Sequence, residues 1–397
     1  MRPPFLVAFM LAMLLAAPAV AAPSYKTDGD CDGFPRIEVT TAPGLCVGLV
    51  AQDLGFARGV AVIGDDVYVA DMGGWRKGHG RLLRLAKRGR AAPEALLDKL
   101  DEPNALLPLA DGMLLVGMLG EVFSIDPKAA DPRATMKPRV TGLATAGLHP
   151  LPALALAPDG FLYINSGSAT DHCEGVGGKS PNPCPELSAS PPRGAILRVK
   201  LGDAPVEAAK AEVFARGLRN SLGLVALPNG QLIAAVNARD AIGAADPSIP
   251  DEGFPHDTLD WLQAGADYGW PYCFDENRPI PEYPKYDCSG KTRPTRLLPA
   301  HAAPLNLLHY AGPLPGLMGH LLITYHGYRM TGHRIVALAL NQPGRPIGEP
   351  QEIVWGWNAL PNVRPQGAPV ALAEMADGSV LITEDHNGTL LRLARAP

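Results

Sequence analysis

One phrase recurs six times along the chain and limits how it can fold. Each copy has a Gly-containing turn, usually Asp-Gly or Asn-Gly, then alternating apolar residues and a second strand-like run, as in "LADGMLLVGMLGEVFSIDP" and "MADGSVLITEDHNGTLLRLARA". Asp-Gly and Asn-Gly tolerate positive φ in hairpin turns, and the alternation is typical of half-buried strands. Six such units without a long helical pattern predict an all-β, six-bladed β-propeller. A pair of two-sheet sandwiches, the competing fold, explains the repeat less well.

Composition agrees with a turn-rich β fold and argues against some partners. The 397 residues include 43 Gly and 41 Pro, which are spread along the chain and not collected in low-complexity tracts. A net charge of −5 gives no basic surface for nucleic acid or for an anionic membrane. We therefore expect no nucleic-acid partner, and because no stretch after residue 22 is long enough to cross a bilayer, we also expect no stable membrane insertion.

The N-terminus has the pattern of a secretory signal. Residues 1–22 combine an early Arg, an apolar run and the small-residue triplet Ala19-Val20-Ala21, which fits a signal-peptidase site. The alternative, a membrane anchor, is less favoured because the uninterrupted apolar run is short for a span. The pattern predicts a periplasmic or secreted protein whose residues 23–397 form a single propeller domain.

Six cysteines are consistent with export. An even count in an exported chain indicates disulfides, and short separations favour three local pairs. These pairs would be Cys31 with Cys46, Cys173 with Cys184, and Cys273 with Cys288. Other pairings remain open, because spacing alone does not determine connectivity.

Several polar residues fall at matching points of different blades, where a propeller gathers its axial loops. They are Asn104, His149, Arg219, Asn237 to Asp240, His301, His326, Arg329 and Arg364. Each alone would be most simply a structural residue, but together they indicate a site. The set is cationic or neutral with few carboxylates, which suits a polyanionic small molecule better than an all-carboxylate calcium cage.

Three motifs resemble a known family. They are "GLRNSLGLVALPNG", "GADYGWPYC", and His149 placed nine residues before Pro158 of "APDGFLYINSGS". The chain resembles the soluble quinoprotein sugar dehydrogenases, which are six-bladed propellers that use pyrroloquinoline quinone (PQQ) and calcium. The pattern is closer to the sorbosone-type than to the glucose-type branch. The resemblance implies oxidation of an aldose or related sugar aldehyde, with electrons passing to an external quinone or cytochrome.

The resemblance also implies roles for individual residues. His149 would be the catalytic base, Arg219 would lie over the quinone oxygens, and Asn220 would bond the edge of the cofactor. The full set of implied cofactor-binding residues is Asn104, Arg219, Asn220, Asn237, Asp240, His326, Arg329 and Arg364. The backbone carbonyls of Ala238 and Arg239 would bind calcium, and Asp257 keeps an acid that the family places near that loop.

Some positions depart from the family pattern. The aspartate that supports the histidine in the glucose enzymes falls on Ser168, so that either Asp171 or His172 replaces it or the histidine has no carboxylate partner. The fifth-blade lysine is unmatched, and His326, Tyr328 and Arg329 stand nearby. A sixth-blade arginine falls on Ala368, with Arg364 just upstream as a replacement.

Two other classes of function remain. A calcium-dependent lactonase on the same fold would need Glu, Asp and Asn clustered at the axis. A non-enzymatic propeller would bind a partner through its loops, since fold does not determine function. The dehydrogenase is favoured because it alone accounts for both His149 and the Arg219-Asn220 pair.

Overall fold

The repeated phrases fold as successive antiparallel sheets. A computed structural model describes residues 25–175, 180–360 and 369–397. The expected signal peptide at 1–22, together with Arg364 and Ala368, lies outside these described residues. Among them, helical segments are five short 3-10 turns: Arg133–Thr135, Pro185–Ser188, Ala208–Lys210, Ile242–Ala244 and Trp357–Ala359. None of the described helices has the length and apolar character needed to cross a bilayer.

Six sheets form the blades, which confirms the predicted six-bladed propeller. Blade 1 contains Ala57–Ile63, Asp66–Asp71, Gly80–Leu85 and Glu94–Leu100; blade 2 contains Ala105–Pro108, Leu114–Met118, Glu121–Ile125 and Lys137–Thr141, edged by Val206–Glu207. Blade 3 contains Leu154–Leu156, Phe161–Ser166, Ala195–Lys200 and Glu212–Arg216; blade 4 contains Gly223–Ala226, Leu232–Val236, His256–Trp261 and Arg296–Ala300. Blade 5 contains Pro304–His309, Leu321–Tyr325, Arg334–Leu340 and Pro346–Trp355, edged by Thr40–Thr41. Blade 6 contains Leu372–Glu374, Val380–Glu384 and Thr389–Arg395, followed by Leu45–Ala51, Phe34–Ile37 and Thr27–Cys31.

Glycines at the repeated turns adopt the backbone conformation that the sequence pattern requires. Gly112 and Gly230 have φ of +85° and +87°, a region that side-chain-bearing residues rarely adopt. In blade 2 the turn containing Gly112 brings Leu114 opposite Pro108. The turn residues therefore set the register of the innermost pair of strands.

Strands from both ends of the chain close the ring in blade 6. Leu45–Ala51 runs antiparallel to Thr389–Arg395, with Leu49 opposite Leu391 and Val47 opposite Leu393. All four residues are apolar, and Leu391 and Leu393 are fully buried. Closure in this way leaves no open gap between the first and last blades, where an unpaired sheet edge would otherwise be exposed.

The three disulfides have the predicted local pairing. Cys31 is bonded to Cys46 at the outer edge of blade 6. Cys173–Cys184 and Cys273–Cys288 stabilise loops of blades 3 and 4. The second of these loops carries a small hairpin of Cys273–Phe274 and Arg278–Pro279. Both loops belong to the long insertions that flank the axial face, so the disulfides restrain segments that lie outside the blade sheets.

The first strand of every blade faces the propeller axis. These six strands surround an axial cavity of about 390 Å³. At one end of the axis, the loops that precede the first strands meet the loops that follow the second strands. The lead-in to Gly223–Ala226 carries Arg219 and Asn220, and the segment after Leu232–Val236 carries Asn237. Blade geometry thus brings polar residues from distant parts of the chain to one place.

Candidate active site

A second cavity of about 320 Å³ opens at this end of the axis. Eleven of the residues named in the sequence analysis line it: His149, Arg219, Asn220, Asn237, Ala238, Asp240, Asp257, His301, His326, Tyr328 and Arg329. Phe56, Arg58 and Trp75 of blade 1 and Asp385 of blade 6 also line it. The matching positions in different blades therefore converge, as a propeller requires.

His149 lies at the wall on the loop before the first strand of blade 3. Its backbone N–H donates to the carbonyl of Ser168 at 3.2 Å, and its Nδ1 is 2.8 Å from the Ser168 hydroxyl. Burial, and then the charge of Arg219, lowers the pKa of His149 to about 3. The imidazole is therefore neutral at physiological pH and has a lone pair available to accept a proton.

Gly167 allows the backbone of His149 to lie close to the segment that follows the strand Phe161–Ser166. A β-carbon at residue 167 would lie 2.6 Å from the His149 carbonyl oxygen and 2.7 Å from the His149 Cβ. Contacts this short are not tolerated, because heavy atoms pack at about 3.5–4 Å. The absence of a side chain at Gly167 thus determines how deeply His149 sits against the end of the strand Phe161–Ser166.

Arg219 is buried and is held on several sides by protein oxygens. Its Nε donates to the Asp171 carbonyl at 2.8 Å and its Nη1 to the Asn237 carbonyl at 3.2 Å. Its Nη2 donates to the carboxylates of Asp171 and, at 3.2 Å, Asp240. A guanidinium has five N–H donors, so most of them serve to fix the side chain. The face of the guanidinium and one remaining donor are what it can offer to a ligand.

The Asp171 carboxylate is paired with Arg219, and the side-chain partner of His149 is a different residue. Burial opposes its ionisation, but the hydrogen bond from His172 and the charge of Arg219 outweigh burial and lower the pKa of Asp171 to about 2. The nearest side-chain partner of His149 is instead the neutral hydroxyl of Ser168. Of the alternatives left by the sequence, a histidine without a hydrogen-bonded carboxylate agrees with this geometry.

Two buried amide oxygens of the cavity wall are available to a ligand. Asn220 Oδ1 and Asn237 Oδ1 are buried and have no hydrogen-bond partner among the residues that the structure describes. The two loops are tied together, because the Asn237 N–H donates to the Asn220 carbonyl at 2.9 Å. Buried polar groups without a partner are uncommon and call for an explanation. A bound molecule with donor groups, or a cation, would satisfy both oxygens.

The loop proposed to bind calcium is supported from behind by Asp257. Its carboxylate accepts the backbone N–H of Ala238 at 2.8 Å and of Ala303 at 2.7 Å. Burial raises the pKa of Asp257 to about 6 despite these two hydrogen bonds. A carboxylate that holds the N–H of Ala238 fixes the orientation of the peptide units around it. Calcium prefers such carbonyl, amide and carboxylate oxygens, so the donors of this loop fit the ion.

Comparison with known proteins supports this fold. The calcium structure of the Trichoderma reesei carbohydrate-active enzyme of family AA12 matches with a TM-score of 0.73 and 19% identity, covering 90% of this chain and 97% of that one. The holo pyranose dehydrogenase PQQ domain from Coprinopsis cinerea has a TM-score of 0.72 and 18% identity over 92% and 99% of the two chains. The PQQ-bound aldose sugar dehydrogenase from Streptomyces coelicolor has a TM-score of 0.60 and 16% identity over 89% and 99%.

The chain has the fold of the PQQ-dependent sugar dehydrogenases. The resemblance indicated by the sequence motifs is thereby confirmed at the level of the fold. No family model matches the sequence. An uncharacterised protein from Borreliella burgdorferi is 27% identical over 195 residues, which are 46% of this chain and 49% of that protein. The chain thus spans about half the length of this curated relative.

Two implied ligand residues are not on the wall of this cavity, and a third lies outside the described residues. Asn104 lines the neighbouring axial cavity, and its Oδ1 accepts a hydrogen bond from Arg58 Nε at 3.0 Å. The Arg239 side chain points away and pairs with Glu282 at 3.0 Å, which leaves only its backbone for the metal role. Arg364 lies outside the described residues. The roles of all three stay predictions.

A buried ion-pair cluster in the wall was missed by the sequence analysis. Arg58 Nη1 donates to Asp385 at 2.8 Å, and His326 Nε2 lies 3.1 Å from the same carboxylate. Burial disfavours ionised Asp385, but the charge and hydrogen bond of His326, with Arg58, lower its pKa to about 2. The sequence did contain a signal for Asp385. This residue directly follows the second strand of blade 6, as Asn237 directly follows the second strand of blade 4.

Carboxylates are more numerous at the site than the sequence analysis inferred. Asp240, Asp257 and Asp385 all line the cavity. Each is already engaged: Asp240 with Arg219 and His301, Asp257 with two backbone N–H groups, and Asp385 with Arg58 and His326. Asp240 and Asp385 are thus paired with arginines, and Asp257 is hydrogen-bonded to the backbone. An open carboxylate cluster of the lactonase type has no support among these residues.

Proposed function

We propose that the protein is a PQQ-dependent dehydrogenase that oxidises an aldose or a related sugar aldehyde, of the sorbosone or glucose type. The observation that carries the proposal is the meeting of a neutral histidine, a fixed guanidinium and two unpartnered amide oxygens in one axial cavity. The motifs and the fold point to the same class of reaction.

The residues of the cavity fit the cofactor and its calcium ion. When bound, PQQ supplies the hydride acceptor that no side chain can provide, and calcium stabilises the negative charge that develops there. Arg219 would present its guanidinium face to the quinone, because its donors are mostly committed to Asp171, Asp240 and Asn237. Asn220 and Asn237 would bind through their free amide oxygens.

His149 would act on the sugar hydroxyl. It would accept the proton of the anomeric hydroxyl while the carbon that bears this hydroxyl gives its hydride to the bound quinone. The sugar would thus give up two electrons and two hydrogens in total. Proton transfer to a positioned base contributes about 10²–10⁴-fold to such reactions. The proton then passes to solvent through the open end of the cavity. Electrons leave to an external acceptor, either a quinone or a cytochrome.

Export would suit this chemistry. Three disulfides are typical of proteins that fold in an oxidising compartment. We infer that the protein acts in the periplasm or outside the cell, where calcium and external acceptors are accessible.

The low pKa of His149 makes a prediction about pH. Because burial and Arg219 lower this pKa to about 3, the ring should stay neutral throughout the range from pH 5 to pH 8. We expect its ring signals in NMR spectra of the cofactor-free protein to be constant over that range, with assignment by their loss in His149→Gln. A midpoint near 6.5, the ordinary histidine value, would show that the site does not hold the base neutral.

The proposed function can be tested by reconstitution. Purified protein receives PQQ and calcium, and reduction of an artificial dye is followed with a panel of aldoses and sugar aldehydes. We expect dye reduction with at least one member and none without the quinone. If cofactor binding is demonstrated and no member reduces the dye, the proposal is wrong. Hydrolysis of a lactone without added quinone would favour the lactonase class instead.

A further inference from the structure

Ser168 lies directly between the two residues assigned to the chemistry. It is fully buried and follows the strand Phe161–Ser166. Its backbone N–H donates to the Arg219 carbonyl at 2.8 Å, and its own carbonyl accepts the N–H of His149 at 3.2 Å. One residue therefore ties the lead-in loops of blades 3 and 4 to each other.

The side chain of Ser168 has a defined hydrogen-bond direction. Its Oγ lies 2.6 Å from the carbonyl oxygen of Thr170 and 2.8 Å from His149 Nδ1. A carbonyl only accepts, and a serine hydroxyl has a single proton. The hydroxyl must therefore donate to Thr170. It is left with lone pairs toward His149, so the proton of the second bond has to come from Nδ1.

We propose that Ser168 is a positioning residue that holds His149 in the Nδ1–H tautomer and leaves Nε2 unprotonated for the substrate. The inference deepens the proposed function and rests on it for its catalytic meaning. Which nitrogen of a neutral imidazole carries the proton is determined by the partner of the other nitrogen. Here that partner is a hydroxyl whose own direction is fixed by a backbone carbonyl.

Neighbouring carboxylates do not take over this task. Asp171 is bonded to Arg219 and His172, and Asp240 to Arg219 and His301. A hydroxyl selects the tautomer as a carboxylate would, but it adds no negative charge beside the ring. The Ser168 arrangement thus orients the base and keeps it uncharged. In a site where Arg219 is adjacent, a neutral ring also avoids repulsion between two cations.

The tautomer can be measured directly in the cofactor-free protein. Nitrogen chemical shifts of ¹⁵N-labelled histidine distinguish protonated from unprotonated ring nitrogens, and His149→Gln identifies the His149 signals. We expect a protonated Nδ1 and an unprotonated Nε2 in the parent protein. In Ser168→Ala, the Nε2–H form should become populated. Ser166→Ala is a matched control, since Ser166 is also buried and its hydroxyl has no hydrogen-bond partner among the described residues.

Turnover provides the second readout. We expect kcat of reconstituted Ser168→Ala to fall about ten-fold or more, because a histidine base in the wrong tautomer cannot accept the proton, with little change in quinone affinity. A parent His149 protonated on Nε2, or an unchanged tautomer in Ser168→Ala, would overturn the proposal. If the tautomer behaves as expected but no sugar is oxidised, the positioning of His149 stands and the proposed function fails.

Discussion

Replacing His149 with Gln should remove turnover while quinone binding stays close to that of the parent protein. The amide of Gln can still donate a hydrogen bond to Ser168, but it cannot accept a proton from a hydroxyl at neutral pH. We expect kcat to fall by about 10²–10⁴-fold, the usual contribution of a positioned base. Dye reduction by the reconstituted variant gives kcat, and titration with the quinone gives the affinity.

A control substitution distinguishes loss of the base from damage to the fold. His320→Gln makes the same change at a half-buried histidine whose Nδ1 lies 3.3 Å from the Met318 carbonyl and which does not line the cavity. That variant should keep full turnover. Unchanged turnover in His149→Gln would refute the assignment of His149 as base. A large loss of quinone affinity would indicate instead that His149 mainly binds the cofactor.

The blades were predictable because their signals are local. The Asp-Gly and Asn-Gly turns and the alternating apolar residues act over a dozen residues or fewer, where sequence patterns are informative. Closure of the ring was not predictable in this way. Leu49 pairs with Leu391 across nearly the whole chain, and no local pattern identifies such a partner.

The site was predictable in its positions but not in its pairings. Blade register indicated that His149, Arg219 and Asn237 would converge, and they line one cavity. It could not indicate that Asp171 would pair with Arg219 and leave His149 to Ser168. Which of these side chains pair with each other depends on the distances between loops of different blades. Arg58 was missed because a single charged residue in an inner strand has no distinctive spacing.

Arg219→Ala should weaken reconstitution by PQQ. The guanidinium is 4% exposed, and its charge lies at the wall where the quinone is proposed to bind. Hydrogen bonds to charged groups contribute about 1.5–3 kcal/mol, so we expect Kd for the quinone to rise about ten- to hundred-fold. Fluorescence titration of the cofactor-free protein measures this change without relying on turnover.

Loss of Arg219 also removes the partner of the half-buried Asp171 carboxylate. The resulting loss of stability must be distinguished from loss of ligand binding. Breaking a buried pair costs about 3–5 kcal/mol of stability, so thermal unfolding should be measured on every variant. Arg392→Ala is a matched control, because Arg392 is equally buried and pairs with Asp32 and Asp377 in blade 6, away from the cavity. It should lower stability and leave quinone affinity unchanged.

A third variant tests which property of Arg219 binds the quinone. Arg219→Lys keeps the positive charge but loses the planar face and the fork of donors that hold Asp171 and Asp240. If the flat face is what contacts the quinone, the lysine variant should bind nearly as weakly as the alanine variant. If charge alone matters, lysine should restore most of the affinity. Equal affinity in Arg219→Ala and the parent protein would show that Arg219 only organises the aspartates around it.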